Sequence, residues 1–208
     1  VLLLMRSVLD YSEVRTPSGQ GDTLVAPAPD VLAELAVKNR HSLATHPFPV
    51  LDVSSVECRR LARGQLRPDL VERMWIMTGH QPEFTHPGVW AKHVVTHRLA
   101  DRLDGVAGNL VVDHDAVKST ALMVPARQSD RYQMVAVPFA GYRPGIPYES
   151  LAALTRPELA DFGARVRSAY GSRYENSLMD VFLAGAGGVA DPADWVAQKV
   201  AGRRAIDA

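Results

Sequence analysis

The hydrophobic pattern is clearest over residues 74–112. Residues 74–77 form a short uninterrupted apolar run, which is typical of a strand buried on both faces. A polar loop follows, and Pro87 suits the first turn of a helix that is predicted over 88–103. Residues 109–112 are the next apolar run and predict a second strand. The order strand, loop, helix, strand indicates a βαβ unit, a crossover that joins parallel strands.

The segment before this unit is predicted to form an arm of loops and helices. Residues 1–28 are punctuated by proline and glycine, which favours extended chain and turns. Asp30 is a candidate N-cap for a first helix. Ser54 with Glu57 three residues later forms a capping-box pattern, which opens a second helix that ends near Leu66.

The segment after the βαβ unit predicts two more strands and three helices. Residues 120–124 and 132–137 are predicted to be strands, separated by the polar residues 127–131. Thr155 and Glu158 form a second capping-box pattern, whose helix is expected to stop at Gly171. The remaining predictions are a helix over 174–183, a glycine-rich linker over 185–188 and a last helix capped by Asp191.

The chain is expected to divide into an extended and helical arm over 1–70 and an α/β domain over 71–208. Its 208 residues suit one domain with an appendage, and 47% hydrophobic residues supply a core. The 23 basic residues balance 23 acidic ones, which argues against a dedicated binder of nucleic acid or anionic membranes. Cys58 is the single cysteine, so an internal disulfide is excluded, and no run suits a membrane span. We therefore expect a cytoplasmic protein with a small-molecule substrate.

Two polar clusters follow the two strands of the βαβ unit. The first occupies 78–88, and the second is Asp113-His114-Asp115. In an open parallel sheet, ligands bind beyond the carboxyl ends of the strands, so both clusters are expected on one rim. This convergence is the main functional signal in the sequence.

The first cluster suits an anion. The helix that follows it presents unpaired N–H groups, and His80 and His86 add donors for a phosphate or a carboxylate. Lys92 lies one helical turn further on and could reach the same anion. The alternatives are that the histidines cap the loop and helix, and that Lys92 is a solvated lysine.

The second cluster has three interpretations. Asp113, His114 and Asp115 could hold an amine or a ribose hydroxyl, ligate a divalent metal, or cap a turn. With His80 and His86 they could form the metal site of a hydrolase, which is an alternative function.

A basic helix lies outside these clusters. Four arginines crowd residues 59–67, and a solvated helix face is favoured there over a phosphate-binding surface. The four are Arg59, Arg60, Arg63 and Arg67.

The two clusters together resemble a known family. Residues 78–81, followed by 84–87 and Lys92, resemble the signature loop of the cysteine-adding enzymes of bacillithiol biosynthesis (BshC). Residues 112–115 resemble the second signature of that family, a strand that ends in Asp-His-Asp. The His-Gln-Pro stretch is also similar to WbqC-like proteins.

The resemblance implies a Rossmann-like parallel sheet of the HIGH-type nucleotidyltransferase kind. Because the family's enzymes are more than twice as long, a truncated sheet is one expectation here, and a minimal relative is the alternative. It implies a ligase that joins cysteine to a sugar-malate amine conjugate, with an ATP- or ADP-type nucleotide as the candidate cofactor and no metal. The implied catalytic residues are His80, His86, Asp113 and Asp115; the implied substrate- or nucleotide-binding residues are Thr78, Gly79, Gln81, Lys92 and His114.

Two further expectations follow from a truncated sheet. Such a sheet would expose an edge strand, which makes a homodimer a candidate assembly. The chain could also be a non-catalytic module that binds a nucleotide or another metabolite.

Overall fold

The fold is mixed α/β and about half helical. The computed structural model describes residues 14–15, 17–22, 24–84, 87–141 and 145–208. Its α-helices are α1 (Pro29–Thr45), α2 (Ser55–Leu66), α3 (Pro87–Arg102), α4 (Arg156–Tyr170), α5 (Met179–Gly187) and α6 (Trp195–Asp207). Its strands are β1 (Pro49–Val50), β2 (Val53–Ser54), β3 (Trp75–His80), β4 (Val106–Val111), β5 (Ala121–Gln128) and β6 (Arg131–Pro138). They pair as three two-stranded sheets in the described part of the chain, β1 with β2, β3 with β4 and β5 with β6.

The predicted βαβ unit is confirmed by β3, α3 and β4. The Met74 carbonyl accepts from Val106 N at 2.7 Å and the His80 carbonyl accepts from Val112 N at 3.0 Å, so both strands advance in the same direction. The expectation of two-sided burial is wrong, because Met77 is 49% exposed and Leu110 is 61% exposed. Within the described residues this parallel sheet has two strands, so a Rossmann-like sheet is not confirmed.

The next two strands form one long antiparallel hairpin. Residues 127–131 were expected to be a polar loop, but β5 runs to Gln128 and β6 begins at Arg131. The turn is short because Ser129 adopts a left-handed backbone conformation, with φ of 57°. Strand pairing continues through the polar residues at the tip of the hairpin. A search for apolar runs does not identify such residues as strand.

Three helices and the hairpin enclose the main core. Its largest fully buried side chains include Trp195, Tyr148 and Phe162. The capping box that opens α4 is confirmed, with Thr155 and Glu158 each bonding the other's backbone N–H. The helix ends at Gly171, as predicted, where φ is 65°.

The expected linker at 185–188 is wrong, because α5 continues through Gly187. Gly185 lies where α5 packs on α6, and an added Cβ would lie 2.6 Å from the Cβ of Ala205. Gly185 therefore serves a close helix contact and not a break. The last helix is capped by Asp194, whose side chain accepts from Ala197 N at 2.8 Å, and not by Asp191.

The N-terminal helices agree in part with the sequence. Ser54 caps α2 and accepts from Glu57 N at 3.2 Å, as predicted. Asp30 is not an N-cap, since Ala28 holds that position; its carboxylate instead pairs with Arg102 of α3.

The chain forms two compact units. The first contains the described residues up to Thr78 and those from Pro87 to Leu110; the second contains Gly79–Phe84 and Val111–Ala208. In the described part of the chain, no helix has the length and apolar character needed to cross a membrane.

Candidate functional site

The second unit brings the two sequence clusters into contact. Gln81, from the first cluster, donates from Nε2 to Asp115 Oδ2 of the second cluster at 2.6 Å. Gln81 follows the end of β3, and Asp115 lies four residues beyond the end of β4. The juxtaposition arises because the two strands are parallel neighbours, so their carboxyl ends lie side by side.

The backbone of the second cluster is held in place on both sides of His114. Tyr148 N donates to the Asp115 carbonyl at 3.1 Å, and Glu149 N donates to the Asp113 carbonyl at 3.0 Å. The Asp113 and Asp115 side chains are half-buried, whereas the His114 side chain is 76% exposed and its Nε2 lies 3.9 Å from Asp115 Oδ1. The backbone at Asp113 and Asp115 is therefore fixed and the Asp115 carboxylate is held by Gln81, while His114 extends into solvent.

His80 is half-buried at the end of β3. Its Nδ1 lies 3.1 Å from the Gln81 carbonyl oxygen, and its own carbonyl accepts from Val112 N. The tautomer protonated at Nδ1 donates to Gln81 and leaves Nε2 as an acceptor. The contact with Gln81 thus orients the ring of His80, and the bond from Val112 holds its backbone.

Glu83 and Tyr148 form a second polar contact beside the first. Tyr148 is 1% exposed and donates from its hydroxyl to Glu83 Oε1 at 2.5 Å, while Lys118 N donates to the same hydroxyl at 3.2 Å. Burial, with the added hydrogen bond to Glu83, raises the pKa of Tyr148 to about 12. Tyr148 therefore remains a neutral donor to Glu83 across the physiological range.

Lys199 is a buried amine in the same unit. Its residue is 8% exposed, and its Nζ lies 5.6 Å from the centroid of the Phe84 ring. Burial lowers the pKa of Lys199 to about 8; Arg203 lowers it further and Glu83 opposes the shift. This amine therefore changes its charge close to neutral pH.

Phe84 anchors the first cluster in the core of the second unit. Its ring lies 5.2 Å from Phe182 and 5.8 Å from Phe139, measured between centroids. An aromatic side chain inserted among others holds the preceding loop residues in a fixed position.

Sequence reasoning missed Tyr148 and Lys199. Lys199 lies four residues after the buried Trp195, so helical spacing places it on the buried face of α6, and that signal could have found it. No local pattern marks Tyr148, because its partners Glu83 and Lys118 are distant in sequence.

The remaining predicted site residues divide between the two units. Gly79 lies in β3 next to His80 and belongs to the second unit, whereas Thr78 and Lys92 belong to the first unit. Thr78 is half-buried and Lys92 is exposed on α3. His86 lies outside the described residues.

The alternative of a metal site is not supported by a ligand cluster among the described residues. Among the described residues, no three histidine, cysteine, aspartate or glutamate side chains lie where they could hold one metal ion. The predicted hydrolase site includes His86, which is not described, so this hypothesis stays a prediction.

Comparison of the chain with protein-family models, with curated proteins and with solved structures finds no match.

Proposed function

We propose that the chain is an amine-binding ligase domain, which forms an amide bond between cysteine and an amine-bearing sugar conjugate. The observation that carries the proposal is the hydrogen bond between Gln81 and Asp115, which unites the two motifs on which the resemblance to the cysteine-adding enzymes rests. The finer fold proposal is that β3, α3 and β4 are the first βαβ unit of a Rossmann-like core.

The carboxylates of the site suit a substrate amine. Asp115 Oδ2 accepts from Gln81, and the Asp115 side chain is 40% exposed, so its Oδ1 can accept from an incoming ammonium group. Asp113 lies two residues away with its backbone fixed by Glu149. The fixed Asp115 carboxylate, with Asp113 beside it in the chain, would orient the amine, and prior orientation lowers the entropic cost of a two-substrate reaction.

His80 completes the proposed chemistry. The cysteine carboxyl group must arrive activated as an ester or acyl phosphate, so that the new C–N bond forms as the C–O bond to the leaving group breaks. The amine must also lose a proton before its nitrogen attacks that carbon, and an imidazole with Nε2 free to accept is suited to receive it. Once His80 has accepted this proton, its imidazolium can stabilise the anionic oxygen that develops on the attacked carbon.

A nucleotide is less well matched to the described residues. Asp115 is held by Gln81 and Glu83 by Tyr148, and these two carboxylates would repel triphosphate oxygens. We therefore derive no step through a nucleotide, and the activation of the cysteine carboxyl group is left to a co-reactant outside this site. A small-molecule substrate and a homodimer remain part of the proposal.

The test is a direct search for the product. The purified chain is incubated with an activated ester of cysteine and a panel of amino-sugar conjugates, and in parallel with cysteine, ATP and the same panel. Mass spectrometry looks for the amide, whose mass is that of cysteine plus the conjugate less one water. Asp115→Asn is expected to lower the initial rate about tenfold or more, because it removes a charge-assisted contact to the amine. The matched control is Asp130→Asn, in the exposed hairpin turn, which should leave the rate unchanged.

Two results would count against the ligase. Equal rates for Asp115→Asn and the parent chain would show that the Asp115 carboxylate does not act on the substrate. Binding of cysteine or amine by calorimetry, without any product, would indicate the non-catalytic metabolite-binding module instead.

A further inference from the structure

The first unit contains a groove with a concentration of positive charge. It lies between α1, α2 and residues 71–76 and has a volume of about 310 Å³. Its charged lining residues are Arg40, Arg59, Arg60, Arg63 and Glu72. Four arginines against one glutamate give the lining an excess of positive charge, although the whole chain has a net charge of zero.

One of the four arginines is neutralised within the fold. Arg60 makes two hydrogen bonds to the carboxylate of Glu57, at 2.6 and 2.8 Å. The guanidinium groups of the other three donate to backbone carbonyl oxygens. Those of Arg40, Arg59 and Arg63 bond the carbonyls of Glu72, Leu43 and Val71 respectively, and Arg63 also reaches that of Arg73.

These three arginines retain their full positive charge. Among the described residues, none of the three lies within ion-pair distance of a carboxylate. Burial lowers the pKa of Arg63, and the charges of Arg59 and Arg40 lower it further, with Glu72 opposing. The like charges thus repel one another across the groove.

The position of Arg63 is fixed by an aromatic ring. Its guanidinium carbon lies 5.8 Å from the centroid of Trp75, whose own Nε1 donates to the Leu70 carbonyl at 2.9 Å. A planar guanidinium held over a ring loses little further freedom when it binds an anion.

We propose that this groove binds a phosphorylated small molecule through Arg40, Arg59 and Arg63. Forked guanidinium groups match the oxygens of a phosphate, and an anion between them relieves their repulsion. Apolar walls that include Leu43, Val56 and Trp75 would pack against the rest of the ligand. A volume of about 310 Å³ suits a small ligand. The neutral net charge of the chain disfavours a nucleic acid, which needs an extended basic surface.

This site uses no residue of the proposed ligase site, so the two proposals can fail separately. The test titrates the full chain with inorganic pyrophosphate by calorimetry at low salt, and saturable binding to one site is expected. Arg59→Gln and Arg63→Gln should each weaken the affinity about tenfold or more, since each removes a charge-assisted pair. Arg63→Lys keeps the charge without the fork, and it should fall between the parent and Arg63→Gln.

The matched control is Arg67→Gln, on the same region of chain and with its side chain bonded to Asp69 outside the groove. It removes the same charge and should bind pyrophosphate like the parent. The proposal is overturned if pyrophosphate does not saturate, or if Arg67→Gln weakens binding as much as Arg63→Gln. It is also overturned if phosphatidic acid vesicles or a single-stranded RNA bind while pyrophosphate does not.

Discussion

The amino group of Lys199 lies over the ring of Phe84 with little contact to water, and this position makes the stability of the protein depend on pH. The pKa of Lys199 is about 8 in the folded chain against an ordinary 10.5. Between these values the unfolded chain binds more protons, so the free energy of unfolding rises with pH across the window from about 8 to 10.5. Below pH 8, Lys199 is charged in the folded chain, and burial of this charge lowers the free energy of unfolding by its full amount.

Lys199→Met should therefore stabilise the protein at pH 7, by up to about 3 kcal/mol, because one pKa unit corresponds to about 1.4 kcal/mol. The gain should shrink as the pH approaches 10. Urea unfolding at pH 7, 8.5 and 10 measures it, and Lys118→Met is the control at an exposed lysine. A gain that does not vary with pH would show that packing, and not the charge, governs this position.

Tyr148 gives a second prediction at the scale of one residue. Tyr148→Phe removes the donor to Glu83 and the acceptor for Lys118 N, so it should lower the free energy of unfolding by about 1–3 kcal/mol. Tyr132→Phe is the matched control, because Tyr132 is 50% exposed. Urea unfolding at pH 7 compares them, and similar losses in the two variants would contradict the assigned contacts.

The sequence predicted that the two polar clusters lie on one rim of the sheet, but neither the specific contact of Gln81 with Asp115 nor the roles of Tyr148 and Lys199. The proximity of the clusters follows from strand order, since the carboxyl ends of parallel neighbours adjoin. The side chains of Tyr148 and Lys199 reach the site from elements whose packing depends on the whole second unit. A buried lysine also runs against the composition rule that places lysine at the surface.

At the scale of elements, the contact between α5 and α6 depends on glycine at two facing positions. A Cβ on Gly202 would lie 2.7 Å from the Phe182 ring and 2.8 Å from the Phe182 carbonyl oxygen. A Cβ on Gly185 would lie 2.9 Å from the Ala201 carbonyl oxygen. Because backbone atoms cannot yield cheaply, the helices would have to separate.

Gly202→Ala should therefore destabilise the protein by about 1–3 kcal/mol, although alanine favours a helix. Gly187→Ala is the control on α5, where the nearest atom to an added Cβ is Leu159 Cδ1 at 3.9 Å. That change should be neutral or stabilise by up to about 1 kcal/mol. Thermal unfolding ranks the two variants, and the opposite order would refute the close contact.

Elements whose signals are local were predicted well. The Ser54 cap of α2, the capping box of α4 and the βαβ unit all depend on residues a few positions apart or on connection rules, although Glu57 bonds Arg60 and leaves the predicted box of α2 half formed. The glycines at 185–188 were misread as a linker because glycine has the same local signature in a break and in a close helix contact. Only the facing residues of α6 distinguish the two.

At the scale of the whole molecule, the two compact units carry two proposed sites of opposite charge. The groove of the first unit is lined by arginines, and the site of the second is lined by carboxylates. A ligand panel can separate them, because each ligand should depend on only one set of side chains. The panel consists of pyrophosphate, ATP, cysteine with an amino sugar, and divalent metal ions.

A ligand at about 100 times its dissociation constant adds about 2.7 kcal/mol, which raises the unfolding midpoint by about 5–10 °C in a chain of this size. Pyrophosphate should produce this shift in full in the parent and in Asp115→Asn, but only about half of it in Arg59→Gln, because a tenfold loss of affinity leaves about 1.4 kcal/mol at the same ligand concentration. The amino sugar with cysteine should shift the parent and Arg59→Gln equally, and Asp115→Asn less. Loss of both shifts in a single variant would mean that the two sites are not independent, and a shift with metal ions alone would favour the hydrolase over the ligase.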